Sequence, residues 1–296
     1  MRRPIRMACT AAGLLTGFLV AGCGVHLLAE PATRQTDTVA PPDDLAEELD
    51  GYQVPTAPEG ATIPQSPSGD GSEQTVTSYL NAVIQDNDRM WTDLFTQQLG
   101  LAEPLVSYQI VQPGQKLQSK CEYPDQSFLV VTHDTPNAYY CGADELTPGH
   151  LGAIYLPVTT MQKMWTGNIF EKQSQKKGDF AAAFLTAHEF GHHVVDELRS
   201  KYSERNQIQY LPPKGKWNEL IADCLAGVWT AHAYYRGYLS PGDFEEATTA
   251  LEAIGDYQLL APDHHGTPQE RKEAMLHGYR QSGALDACIS RYWITE

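Results

Sequence analysis

Two histidines four residues apart with a glutamate beside the first, His188-Glu189-Phe190-Gly191-His192, form an H-E-x-x-H element in an Ala-rich, helix-forming stretch. On an α-helix, residues at i and i+4 differ by roughly 40° in azimuth and lie one turn apart, so His188 and His192 can aim their imidazoles at one point. That point suits a zinc ion. Glu189, rotated by about 100° from His188, falls beside the metal and suits a general base acting on water. Catalytic zinc keeps three protein ligands and one open position, so a third ligand must come from elsewhere. Trp217-Asn218-Glu219-Leu220-Ile221-Ala222-Asp223 offers Glu219, 27 residues after His192, with Asp223 one turn further along the same face. Glu219 would complete a His2Glu set, and Asp223 would accept the second imidazole N–H of His188 and fix its tautomer.

These residues need helices to carry them. Helical periodicity predicts a helix beginning near Glu73, with Val76, Tyr79, Leu80, Val83 and Ile84 on its apolar face and a break near Asp86-Asn87-Asp88. Met161 to Phe170 reads as a short helix. Asp179 is the expected N-cap of the H-E-x-x-H helix, whose apolar stripe is Phe184, Ala187, Gly191, Val195 and Leu198. Further helices are expected over 217–235, 244–260 and 269–278. Strand-like stretches cover 105–111, 127–131 and 153–158. The expected fold class is α+β, mostly helical with a small mixed or antiparallel sheet.

Three arginines in the first six residues, then an apolar run over 7–20, read as an export signal that is too short to span a membrane comfortably. Leu19-Val20-Ala21-Gly22-Cys23 resembles a bacterial lipobox, which implies a 1–22 signal peptide, lipidation at Cys23 and anchorage outside the cytoplasm. Residues 23–72, rich in Pro, acids, Gly and Ser, read as a disordered tether ahead of a metallopeptidase domain over 73–296. The formal charge is −16, and removal of residues 1–22 would take it to −19. Such acidity argues against nucleic-acid binding, and any membrane attachment would come from the lipid. With Cys23 set aside, four cysteines remain after the signal, an even number in an oxidising compartment. Of the three possible pairings, Cys121–Cys141 would close a local loop and Cys224–Cys288 would tie the C-terminal end to a helix, and these are favoured.

From residue 73 to 293 the chain resembles the bacterial family of neutral zinc metallopeptidases. The likeness rests on Tyr139-Tyr140-Cys141, Ala187-His188-Glu189-Phe190-Gly191-His192-His193, the run from Glu219 to Trp229, Gly242-Asp243-Phe244-Glu245-Glu246-Ala247 and the run from His265 to Arg271. It implies a zincin-like core holding one Zn2+ through His188, His192 and Glu219, with Glu189 as base and peptides or proteins as substrates. In Glu-type zinc peptidases a histidine downstream of the third ligand often donates to the developing oxyanion; His265 is the candidate, His264 its neighbour and competitor, and Tyr155 a second candidate. Two other functions share these residues: a zinc-binding envelope module that cleaves nothing, and a zinc hydrolase of non-peptide amides in the cell wall.

Overall fold

In the computed structural model, the described residues are 71–122, 126–169, 172–173, 178–240, 242–255, 264–281 and 284–295. The signal segment, Cys23 and nearly all of the expected tether lie outside them. Helix α1, Glu73–Asp93, starts at Ser72, whose hydroxyl accepts from the Thr75 N–H, and it buries Val76, Tyr79, Leu80, Val83, Ile84, Met90 and Trp91. A π-helical turn, Leu94–Gln98, extends it. The break expected at Asp86-Asn87-Asp88 does not occur. Asp86 is buried and accepts from Trp229 Nε1 at 3.0 Å and from Arg236, so there tertiary partners outweigh weak helix propensity, while the Asn87 amide donates within the helix to the Val83 carbonyl.

The strands follow: β1 Ser107–Val111, β2 Lys116–Glu122, β3 Phe128–Thr132, β4 Tyr139–Cys141 and β5 Ala153–Pro157. β5 is central and buried at every position, with β1 parallel on one side and β4 antiparallel on the other. β2 and β3 form a separate antiparallel hairpin. It packs on this mixed sheet around Val111, Val131, Cys141, Ala153 and Tyr155. The Cys121–Cys141 disulfide joins the hairpin to β4.

Helix α2, Val158–Thr166, starts three residues earlier than expected and stops at Gly167, whose φ of 72° ends the helix in a left-handed turn before Phe170. A two-stranded ribbon, β6 Asn168–Ile169 with β7 Lys172–Gln173, leads on. Four of the remaining helices make one block: α3 Asp179–Asn206, α4 Lys216–Tyr235, α5 Asp243–Ile254 and α6 Pro268–Arg280. A short helix absent from the sequence expectations, α7 Leu285–Tyr292, is bound to α4 by the Cys224–Cys288 disulfide. α3 passes so close to α4 that a Cβ on Gly191 would lie 2.7 Å from the Ala222 carbonyl oxygen. This approach brings the H-E-x-x-H face against Glu219 and Asp223. α5 ends at Ile254, ahead of the expected Leu260, because Gly255 turns extended against Pro268.

Gly178, not Asp179, is the N-cap of α3; Asp179 lies in the first turn, where it accepts the Tyr79 hydroxyl. Asp179, Asp243 and Glu246 bring carboxylate oxygens within 4.8 Å of one another, and Glu246 also accepts the Phe180 N–H. Burial and mutual repulsion push Glu246 up to about 7 and Asp243 up to about 6. Below about pH 4 both folded and unfolded chains hold these carboxyls protonated; between pH 4 and 7 the folded chain holds protons the unfolded one releases, so stability falls as pH rises through that window. Glu246→Gln keeps an acceptor for the Phe180 N–H and removes a charge. It should raise the melting temperature by roughly 2–5 °C at pH 8 and by about zero near pH 4, read as the variant-minus-parent difference in thermal denaturation.

Candidate metal centre

α3 supplies His188 and His192, and α4 supplies Glu219 and Asp223. The Nε2 atoms of the two histidines are 3.1 Å apart, His188 Nε2 is 3.4 Å from Glu219 Oε2, and His192 Nε2 is 3.6 Å from Glu219 Oε1. Donors about 2.05 Å from a tetrahedral zinc lie roughly 3.3 Å from one another. The three side chains, 4%, 13% and 19% exposed, therefore fit a zinc ion in both donor type and spacing. His188 Nδ1 lies 2.8 Å from Asp223 Oδ1, which leaves Nε2 for a metal. At His192 the Asn218 amide nitrogen is 3.2 Å from Nδ1; half a turn of that amide would present its oxygen to an Nδ1–H in the same way.

Electrostatics knit the cluster together. Burial works against a charge on His188, but Asp223 and Glu219 outweigh it and push the imidazole up to about 10. Burial dominates at His192, which falls to about 4. Glu219 would be raised by burial, yet His192, His188 and Arg271 hold it far below the usual carboxylate range. Glu189 stands apart from these. Burial pushes it up to about 7, with Glu219 adding to the rise and His188 and Arg271 only partly opposing it. The Glu189 carboxylate accepts the backbone N–H of Tyr140, which fixes this side chain against β4.

His188, Glu189, His192 and Glu219 share one cleft of about 370 Å³ with Asn137, Tyr140, Asp196 and His265. β4 is an edge strand of its sheet and forms one wall. Of the two adjacent histidines, His265 lines the cleft, while His264 is buried with Nε2 4.0 Å from Glu270 of the α6 cap. Tyr155 is not brought to the site. It is fully buried, stacks on Tyr139 and donates its hydroxyl to Asp144 at 2.8 Å, because the inward face of central β5 belongs to the small core beneath the hairpin. His193 packs away from the cleft, with Nε2 3.0 Å from the Pro104 carbonyl.

Three further residues escape the sequence reading. Arg271 on α6 is 3% exposed and grips Asp223 through Nε at 2.7 Å and a terminal nitrogen at 2.9 Å; that nitrogen also lies 3.7 Å from Glu219 Oε2. It closes one of the runs that carry the family likeness, but at a separation of 48 residues no local signal pairs it with Asp223. Asn218 directly precedes a metal-ligand candidate, and Asp196 follows His192 by one turn; for Asp196, helical spacing was an available signal.

Comparison with known proteins adds the family. The chain is 34% identical to the uncharacterized protein YpfJ of Escherichia coli K12 over 156 residues, covering 48% of this chain and 50% of that protein. It is 32% identical to the uncharacterized protein Rv2575 of Mycobacterium tuberculosis H37Rv over 130 residues, covering 38% of this chain and 44% of that one. The matched stretches thus span about half the length of these curated relatives. No solved structure matches the chain. A family model described as "Putative neutral zinc metallopeptidase" matches residues 44–290, starting within the stretch read as a tether. With most of its length under that model and a His2Glu cluster at its centre, the chain belongs to this zinc metallopeptidase family.

Proposed function

We propose that the protein is a zinc-dependent peptidase working outside the cytoplasm, with His188, His192 and Glu219 holding the metal and Glu189 as general base. The convergence of three zinc-type donors at 3.1–3.6 Å beside a buried, neighbouring glutamate carries this reading. A zinc ion held there would supply Lewis acidity, making water acidic near neutral pH and polarising a carbonyl. The side chains do the rest. Glu189, near neutrality in pKa, is suited to take a proton from water and return it to the leaving amine. An extended peptide would lie along the open edge of β4, and His265, which lines the same cleft, would donate to a developing oxyanion.

Two disulfides among the described residues support an oxidising compartment. No described helix is long and apolar enough to cross a membrane. Attachment through a lipid on Cys23 is part of the proposal. The test is incubation of purified protein with a peptide library, with and without a chelator and with zinc restored. Cleavage that the chelator stops and zinc restores supports the peptidase. Zinc binding with no peptide cleavage favours an envelope module or a hydrolase of non-peptide amides, and assays on cell-wall amides separate those two.

A further inference from the structure

Among the charged side chains lining the cleft, Asp196 lies outside the cluster formed by His188, His192 and Glu219. It follows His192 by one turn of α3, about 6 Å along the axis, on the face that carries His188 and His192. Its carboxylate reaches the cleft wall because position 142 is glycine: a Cβ there would collide with Asp196 Oδ2. Two neighbours fix it, the Tyr140 hydroxyl, which donates to it, and Arg199, whose terminal nitrogen lies 3.2 Å from Oδ1. A carboxylate accepts about four hydrogen bonds, so capacity remains toward the cleft. The cleft lining includes Glu189, Asp196 and Glu219 but no lysine or arginine, in a chain of formal charge −16.

We propose that Asp196 is a specificity residue that selects substrates carrying a lysine or arginine near the scissile bond. This rests on the peptidase reading and names its substrate class. An extended peptide advances about 3.3 Å per residue, so a carboxylate one helical turn beyond His192 faces a side chain one or two residues from the bond that is cut. Arg199 tempers the charge of Asp196 from outside the lining, and a cationic side chain in the cleft would share the carboxylate with it.

The test uses zinc-loaded Glu189→Gln protein and peptide sets identical except for Lys, norleucine or Glu at each position flanking the bond, with binding measured by calorimetry and cleavage measured in parallel on the parent enzyme. Lys at one position should bind about tenfold tighter than norleucine. Asp196→Asn, which keeps an acceptor for Tyr140, should erase that preference, and Asp196→Lys should turn it toward Glu. Arg199→Gln, which removes the tempering charge, should sharpen it, an effect that a merely structural role for Asp196 would not produce. Cleavage without a basic preference, or a preference that survives Asp196→Asn, overturns the inference and leaves the peptidase intact. Asp196-dependent binding of Lys peptides without cleavage sustains the cationic site and overturns the peptidase. Peptides neither bound nor cut overturn both.

Discussion

Glu189→Gln should lower kcat by about 10²–10⁴-fold while leaving zinc content at one ion per chain. Gln is isosteric, and its carbonyl oxygen can still accept the Tyr140 N–H that positions the parent carboxylate, so the side chain stays where it is and only its basicity is lost. The three candidate zinc donors do not include position 189. Glu219→Ala should behave in the opposite order, losing the metal first and turnover as a consequence. Zinc content with anomalous scattering at the zinc edge, measured beside peptide turnover for both variants, separates the base from the ligand. Undiminished turnover in Glu189→Gln would remove it from the mechanism.

Much of this site is legible in the sequence because helices make spacing local. His188 and His192 meet through one turn of α3, and Glu219 and Asp223 through one turn of α4. Only the approach of α3 to α4 had to be inferred, and Gly191, inside the motif itself, is the residue that permits it. Where tertiary partners decide, the sequence is mute. Asp86 looks like a helix breaker until Trp229, more than a hundred residues away, supplies a donor. β4 is three residues long, too short for an alternating pattern, yet its Tyr140 N–H holds the general-base candidate. Tyr155 sits on a strand as expected, but which face of β5 meets the cleft depends on the hairpin packed beneath it. Arg271 closes a run that carries the family likeness, yet its role is hidden for the same reason: no periodicity links it to α4.

That arginine governs the second large effect. Arg271→Met should cost about 3–5 kcal/mol of stability, because Asp223 is fully buried and loses a bidentate counter-charge, leaving His188 as its remaining cationic partner. For a domain of this size the loss corresponds to a fall of roughly 10 °C or more in melting temperature. Arg271→Lys should recover only part of it, since a single ammonium cannot reproduce two parallel hydrogen bonds to one carboxylate. The cause is separable from lost packing volume by a double-mutant cycle. If the cost is an uncompensated buried charge, adding Asp223→Asn to Arg271→Met should restore stability toward the parent, although each substitution alone destabilises. Simple additivity of the two losses, measured by denaturant unfolding of the metal-free protein, would mean that the guanidinium acts by filling space. Non-additivity would identify Arg271 as the group that allows an aspartate to sit fully buried behind His188, and so to hold that imidazole with its Nε2 turned toward His192 and Glu219.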